Sequence, residues 1–315
     1  MYRTLIMQLK QQLISVLLLG STFTGFAQTA KPLKYKDFVF TDVIITKDQS
    51  YAPGRTKKEK KAHLFDLYQP ANDNSAARPL IIWMHGGGFI FGTKEDKGMQ
   101  IWSESFAKRG YVCASISYSL TNHNLLLKFD ALTKAAYFAV QDARMAVAYF
   151  KKNCKQYNVD PEKIILAGNS AGGMIALQAA YSSNAELAKF AGIPDTVAGS
   201  KSTDIPNVAG VVNYWGGIFD LNWLKNRKVP IMCVHGSKDG IMPLTHKSAP
   251  LYGGLSIHQK ADSLNIPNDF KLFEGYSHEL QKHFNPIFGV SRATKERWLQ
   301  AGQYTADFLY ANVIK

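Results

Sequence analysis

The chain has 315 residues, of which 46% are apolar and 19% charged, with a net charge of +13. That length and apolar content can build a large core, which excludes a disordered protein or a small disulfide-framed one. The positive charge is not interleaved with aromatic residues, so it points to anionic polysaccharide or a cell surface and not to nucleic acid.

The amino terminus reads as a leader. Arg3 and Lys10 are basic, residues 13–20 are mostly apolar, and Gly25 and Ala27 are the small residues at −3 and −1 before Gln28. This is the pattern of a secretory signal over residues 1–27. It leaves residues 28–315 as a single domain, in the periplasm or secreted. The apolar run is shorter than the about 20 residues that a membrane span needs, so no stable membrane anchor is expected. The cysteines are Cys113, Cys154 and Cys233, an odd number for an exported chain. Burial in strands accounts for Cys113 and Cys233, and the pairing of Cys154 is left open.

Downstream, apolar runs alternate with helical patterns. The expectation is a mostly parallel sheet with helices on both faces. The densest basic run, residues 55–61, reads as a solvated loop between the first two strands. Residues 79–84 read as a strand that ends at His85. Residues 130–157 read as one long amphipathic helix. Residues 163–167 are a strand and 174–181 a helix. Residues 229–234 and 270–273 are the last strands. Residues 294–313 close the chain as a helix, with Trp298, Tyr304, Phe308 and Leu309 toward the core.

Two glycine-rich turns follow strand-like runs. The second, Gly168-Asn169-Ser170-Ala171-Gly172-Gly173, has the form of a nucleophile elbow. Its glycines let strand and helix pass closely, and the tight turn pushes the Ser170 hydroxyl out at the sheet's carboxyl edge. The first, His85-Gly86-Gly87-Gly88-Phe89, can offer backbone N–H groups to a substrate oxygen. The oxyanion donors are assigned to Gly87, Gly88 and Ala171, and His85 reads as structural. A serine nucleophile needs a base, and the base an orienting acid, in the order Ser, acid, His. Asp239 follows residues 229–234, and His278 follows the last strand. Asp220 is the runner-up acid, and Asp269 precedes a strand instead of following one. His63 and His123 come before the serine. His258 falls in a helical pattern, His246 in a loop, and His235 beside the turn that carries Asp239. His278 and His283 are five residues apart, about 140° around a helix, so H-E-x-x-H zinc chemistry is disfavoured and no metal or cofactor is expected.

These motifs resemble the α/β-hydrolase superfamily, and within it the HGGG-type carboxylesterases bordering the hormone-sensitive-lipase group. The resemblance includes Leu64-Phe65-Asp66-Leu67-Tyr68-Gln69-Pro70, and Gln141-Asp142-Ala143-Arg144 ahead of Asn158-Val159-Asp160-Pro161. It implies an α/β-hydrolase fold and ester hydrolysis through an acyl-enzyme. Asn169 stands where hormone-sensitive-lipase relatives carry Asp, which is closer to small bacterial esterases of polysaccharide-processing and feruloyl-type groups. Residues 182–207 and 242–261 are too short for a full lid domain, so the lid is expected to be minimal and the cleft open. Phe89, Tyr118, Tyr214 and Trp215, at strand ends, are expected to line the site. The function expected is a serine carboxylesterase for short-chain esters or for acetyl or feruloyl groups on polysaccharide. The alternatives are a peptidase or amidase on the same fold and a non-catalytic binding module.

Overall fold

Eight strands build one sheet in the computed structural model, which describes residues 31–315 except 55, 122–127, 195–204, 247–249 and 286–289. The leader assigned to residues 1–27 therefore lies outside the described residues. In chain order the strands are β1 (Val43–Ser50), β2 (Leu64–Pro70), β3 (Arg78–Met84), β4 (Val112–Ile116), β5 (Val159–Asn169), β6 (Gly210–Tyr214), β7 (Ile231–Gly236) and β8 (Asn268–Phe273). The spatial order is β1-β2-β4-β3-β5-β6-β7-β8. Only the β1–β2 and β2–β4 pairings are antiparallel. The other neighbours run parallel, so their carboxyl ends share one edge.

The inner strands β3, β4, β6 and β7 are buried at every residue because the sheet is covered on both sides there, whereas β1 is mostly exposed. Side chains alternate between two cores with the period of the pleat. Along β3, Leu80, Ile82 and Met84 enter one core, and Ile81 and Trp83 the other. The first core is closed by α2 (Phe129–Lys152), α3 (Ala171–Tyr181) and α5 (Gly254–Ser263). The second is closed by α1 (Lys97–Ala107) and α6 (Arg292–Leu309). This is the mostly parallel, two-faced sheet anticipated from the alternating runs, and the α/β-hydrolase fold that the resemblance implies. Between α3 and β6 lies a short helix, α4 (Asn184–Phe190), and part of the expected lid segments falls outside the described residues. Among the described residues, no helix is long and apolar enough to cross a membrane.

Several boundaries differ from expectation. The helix expected over 130–157 ends at Lys152, because Asn153 leaves helical geometry (φ −105°, ψ 21°). Cys154–Tyr157 forms a separate turn, stopped by Asn158 in the left-handed region (φ 53°). The basic run expected as a loop contains a short helix, Lys57–Ala62. The closing helix starts at Arg292, two residues early, and gives way at Tyr310–Ile314 to a wider π turn. Trp298, Phe308 and Leu309 are buried, whereas Tyr304 is only partly so. Cys113 and Cys233 are buried in strands, Cys154 is half-buried, and all three are free thiols.

Candidate active site

The β5–α3 junction carries Ser170. Its backbone sits at φ 52°, ψ −117°, a region that non-glycine residues rarely occupy. Such strain persists only where the surroundings enforce it, and here they do. The Ser170 N–H donates to the Tyr214 carbonyl at 2.8 Å, and the Ser170 carbonyl accepts from Met174 N at 3.0 Å. The start of α3 presses on the end of β3: a Cβ on Gly172 would stand 1.9 Å from the Met84 oxygen. Only glycine permits that approach.

The hydroxyl so presented meets His278. Ser170 Oγ lies 2.9 Å from His278 Nε2, and His278 Nδ1 lies 2.8 Å from Asp239 Oδ2. The Nδ1–H therefore donates to the carboxylate, which leaves Nε2 to accept the serine proton. The His278 and Asp239 side chains are almost fully buried, and Ser170 is 9% exposed. Burial pushes the Asp239 carboxyl up, but hydrogen bonds from His235 and His278 outweigh it and hold the group well below the usual carboxylate range. Its Oδ1 also accepts from Ile241 N and Met242 N, both at 2.9 Å.

Opposite the imidazole lies the glycine turn. Gly87 adopts φ 98°, and a Cβ there would strike the Phe91 carbonyl at 2.0 Å. The Gly87 carbonyl accepts from Ile90 N and Phe91 N. The N–H groups of Gly87, Gly88 and Ala171 have no protein acceptor among the described residues. Ala171 opens α3, so its N–H also carries the positive end of the helix dipole.

His85 lies under this turn. Its Nδ1 donates to the Gly86 carbonyl at 2.7 Å, and its ring stacks on Tyr118 at 4.2 Å. Burial lowers its pKa to about 4, against the pull of that carbonyl, so the ring is neutral at pH 7 and serves as a brace. The Tyr118 hydroxyl donates to the His85 carbonyl at 2.8 Å. Next to it, Ser119 N donates to Asp142 Oδ2 at 2.6 Å. This chain of contacts holds the turn from behind.

The expected lining residues need correction. Phe89, Tyr118, Tyr214 and Trp215 are all buried and pack in the cores, not along an accessible wall. Tyr214 OH shares a hydrogen bond with Thr305 of α6 at 2.7 Å. An open cleft of about 800 Å³ is lined instead by residues that include Lys238, Ile241, Tyr276, Lys282, His283 and Phe284. Phe284 meets the His278 ring edge-on at 5.0 Å, so the cleft adjoins the imidazole.

The remaining candidates lie apart from Ser170. Asp220 accepts from Asn222 N at 2.8 Å. Asp269 pairs with Lys271 on the edge strand β8. His63 faces Asp142, His246 stacks on Tyr252, and His258 stacks on Phe270. His123 is outside the described residues. The His278–Leu280 segment is a single 3-10 turn, and no cluster of three metal-ligating side chains occurs among the described residues.

Sequence reasoning missed the support of the histidine loop. Glu279 and Leu280 both take positive φ, 57° and 56°. Trp298 Nε1 donates to the Glu279 carbonyl and Arg297 Nε to the Leu280 carbonyl, each at 2.7 Å. Both donors come from α6, and no local pattern near His278 announces them.

The class of protein is an α/β hydrolase. The BD-FAE family model matches residues 65–227, just over half of the chain, and the chain belongs to that family. The match includes both glycine turns and Ser170 but stops before Asp239 and His278. Esterase-5C of Drosophila pseudoobscura pseudoobscura is 33% identical over 125 residues, 39% of this chain and 22% of that protein. Esterase P of Drosophila melanogaster is 31% identical over 127 residues, 40% of this chain and 22% of that protein. The chain thus spans about a fifth of the length of these esterases. Among solved structures, a truncated carbohydrate esterase from gut microbiota aligns with a TM-score of 0.59 at 16% identity, over 88% of this chain and 98% of that one. Thermogutta terrifontis esterase 2 with propionate bound aligns with a TM-score of 0.56 at 19% identity, over 84% and 93%.

Proposed function

We propose that the protein is a serine carboxylesterase acting on short-chain or carbohydrate-linked acyl esters. The observation that carries this reading is the unbroken line from Ser170 Oγ to His278 Nε2 to Asp239, beside unengaged N–H groups. His278 takes the hydroxyl proton as Oγ bonds to the ester carbonyl carbon. Negative charge moves to the carbonyl oxygen, where the N–H groups of Gly87, Gly88 and Ala171 receive it. The carbon–oxygen bond to the alcohol then breaks, and the alcohol departs with the proton from His278. Water, deprotonated by the same imidazole, splits the acyl-enzyme and restores Ser170.

Family membership supports ester chemistry. The open cleft beside His278 favours a bulky alcohol group such as a sugar, and a fold relative is itself a carbohydrate esterase. The net charge of +13 suits an anionic polysaccharide. The leader pattern in residues 1–27 supports a reaction in the periplasm or outside the cell.

The test is p-nitrophenyl acetate hydrolysis, run beside acetylated xylan and a p-nitroanilide. Wild type should cleave the esters and leave the anilide intact. Ser170→Ala should lose measurable ester hydrolysis while melting within a degree or two of wild type. Normal activity in Ser170→Ala overturns the assignment, and faster anilide than ester cleavage overturns the esterase reading.

A further inference from the structure

A second imidazole touches the acid. His235, the fifth residue of β7, is fully buried, and its Nε2 lies 3.3 Å from Asp239 Oδ2. That oxygen is the one that accepts from His278. The same Nε2 lies 3.4 Å from the Met242 carbonyl. Both neighbours are acceptors, so Nε2 must carry the proton. The other ring nitrogen, Nδ1, is buried without a partner among the described residues. It faces Gly254 at the start of α5, whose Cβ would stand 3.3 Å away and also touch the Phe270 ring of β8. No described group there accepts a proton, so a hydrogen on Nδ1 would be stranded.

We infer that His235 is a positioning residue: a fixed donor through Nε2 that orients Asp239 Oδ2 and shares the charge of that oxygen with His278. The inference rests on the esterase reading above for its kinetic arm. Ile241 N and Met242 N already fix Oδ1. A carboxylate whose Oδ2 accepted only from His278 would concentrate the charge of that oxygen on one partner. A second donor on Oδ2 shares that charge and sets where the oxygen sits. The other carboxyls bearing on His278 are Glu279, its chain neighbour, and Asp96, which bears on Glu279, and burial raises both. Lys238 precedes Asp239 and is exposed. Against His235 itself, β8 and α5 contribute Phe270 and Gly254, neither of which titrates.

His235→Phe keeps a ring of similar size and removes the donor. His235→Gln carries an amide nitrogen the same number of bonds from Cβ as Nε2. For p-nitrophenyl acetate, His235→Phe should lower kcat on the order of tenfold with KM little changed. The acid limb of its rate profile should move up by about half a pH unit. His235→Gln should recover most of both. An unmoved acid limb in folded His235→Phe, or no recovery in His235→Gln, overturns the inference. A separate arm needs neither variant nor turnover: nitrogen-15 NMR of histidine-labelled wild type at pH 8. His235 should show the tautomer with its proton on Nε2. The tautomer with its proton on Nδ1 overturns the inference even if the variants fail to fold, and even if no ester is ever cleaved.

Discussion

Replacing Gly172 with Ala adds one methyl group where two backbones cross. The new carbon would stand 1.9 Å from the Met84 oxygen, 2.5 Å from the Met84 carbonyl carbon and 2.8 Å from the His85 oxygen. An ordinary carbon–oxygen contact is about 3.3 Å, so the end of β3 and the start of α3 must part by about 1.4 Å. No flexible side chain can absorb the move, because all three of these atoms are backbone. The parting would displace Ala171, at the start of α3, relative to the turn that follows β3, and so disturb the proposed oxyanion donors Gly87, Gly88 and Ala171. Oxyanion donors act within about 2.7–3.1 Å, and the loss of one costs roughly 10²–10³ in kcat. Helix propensity alone gives the opposite sign for stability, since Ala favours a helix over Gly by about 1 kcal/mol. The clash should win, and Gly172→Ala should both melt earlier and lose at least 10²-fold in kcat for p-nitrophenyl acetate. Gly192→Ala is the control. It too adds a methyl, at φ 61° but with nothing within 4 Å. It should lose about 1 kcal/mol and no activity. A Gly172→Ala protein as active and as stable as wild type would show that the crossing is looser than drawn, and would sink this reasoning.

Other outcomes follow from the same contacts. Asp239→Asn should keep the fold and lower kcat by roughly 10⁴, because an amide cannot hold His278 in the required tautomer; pre-steady-state acylation rates would expose a smaller effect. His85 links stability to pH. The unfolded chain protonates this residue near pH 6.5, while the folded ring resists until about pH 4. Between those values the unfolded state binds more protons, so stability is lost as the pH falls, by about 3 kcal/mol from pH 6.5 to pH 4. Urea unfolding at pH 7, 5.5 and 4 should record that loss from His85, before Asp239 adds its own below the ordinary carboxylate range, and a flat response would contradict it. Lys94 Nζ reaches Asp66 at 2.8 Å with both side chains buried. Lys94→Met strands that carboxylate and should cost about 3–5 kcal/mol, most of it recovered by adding Asp66→Leu. Thermal melts of both variants check this, and an unaltered melting temperature in the single variant would refute it.

Local sequence determined what depends on short-range geometry. The apolar runs, covered on both faces, had to be interior strands. The glycine spacing around Ser170 had to be a tight strand-to-helix turn, since any Cβ at Gly172 meets the neighbouring strand. Asp239 and His278 were legible because parallel strands bring their carboxyl ends to one edge, so the residues just beyond β7 and β8 are natural partners for Ser170. The ends of α2 and α6 were less legible, because Asn153 and Arg292 mark boundaries only in their observed backbone geometry. Packing decided the rest. Tyr118, Tyr214 and Trp215 sit near strand ends, but which way each ring turns depends on the pleat and on helices distant in sequence. Tyr214 finds Thr305 of α6, and Tyr118 finds the His85 carbonyl. Likewise the histidine loop holds two left-handed residues only because Trp298 and Arg297 arrive from α6 to bind their carbonyls. Such partners lie up to 91 residues apart and meet only when the sheet and its covering helices close.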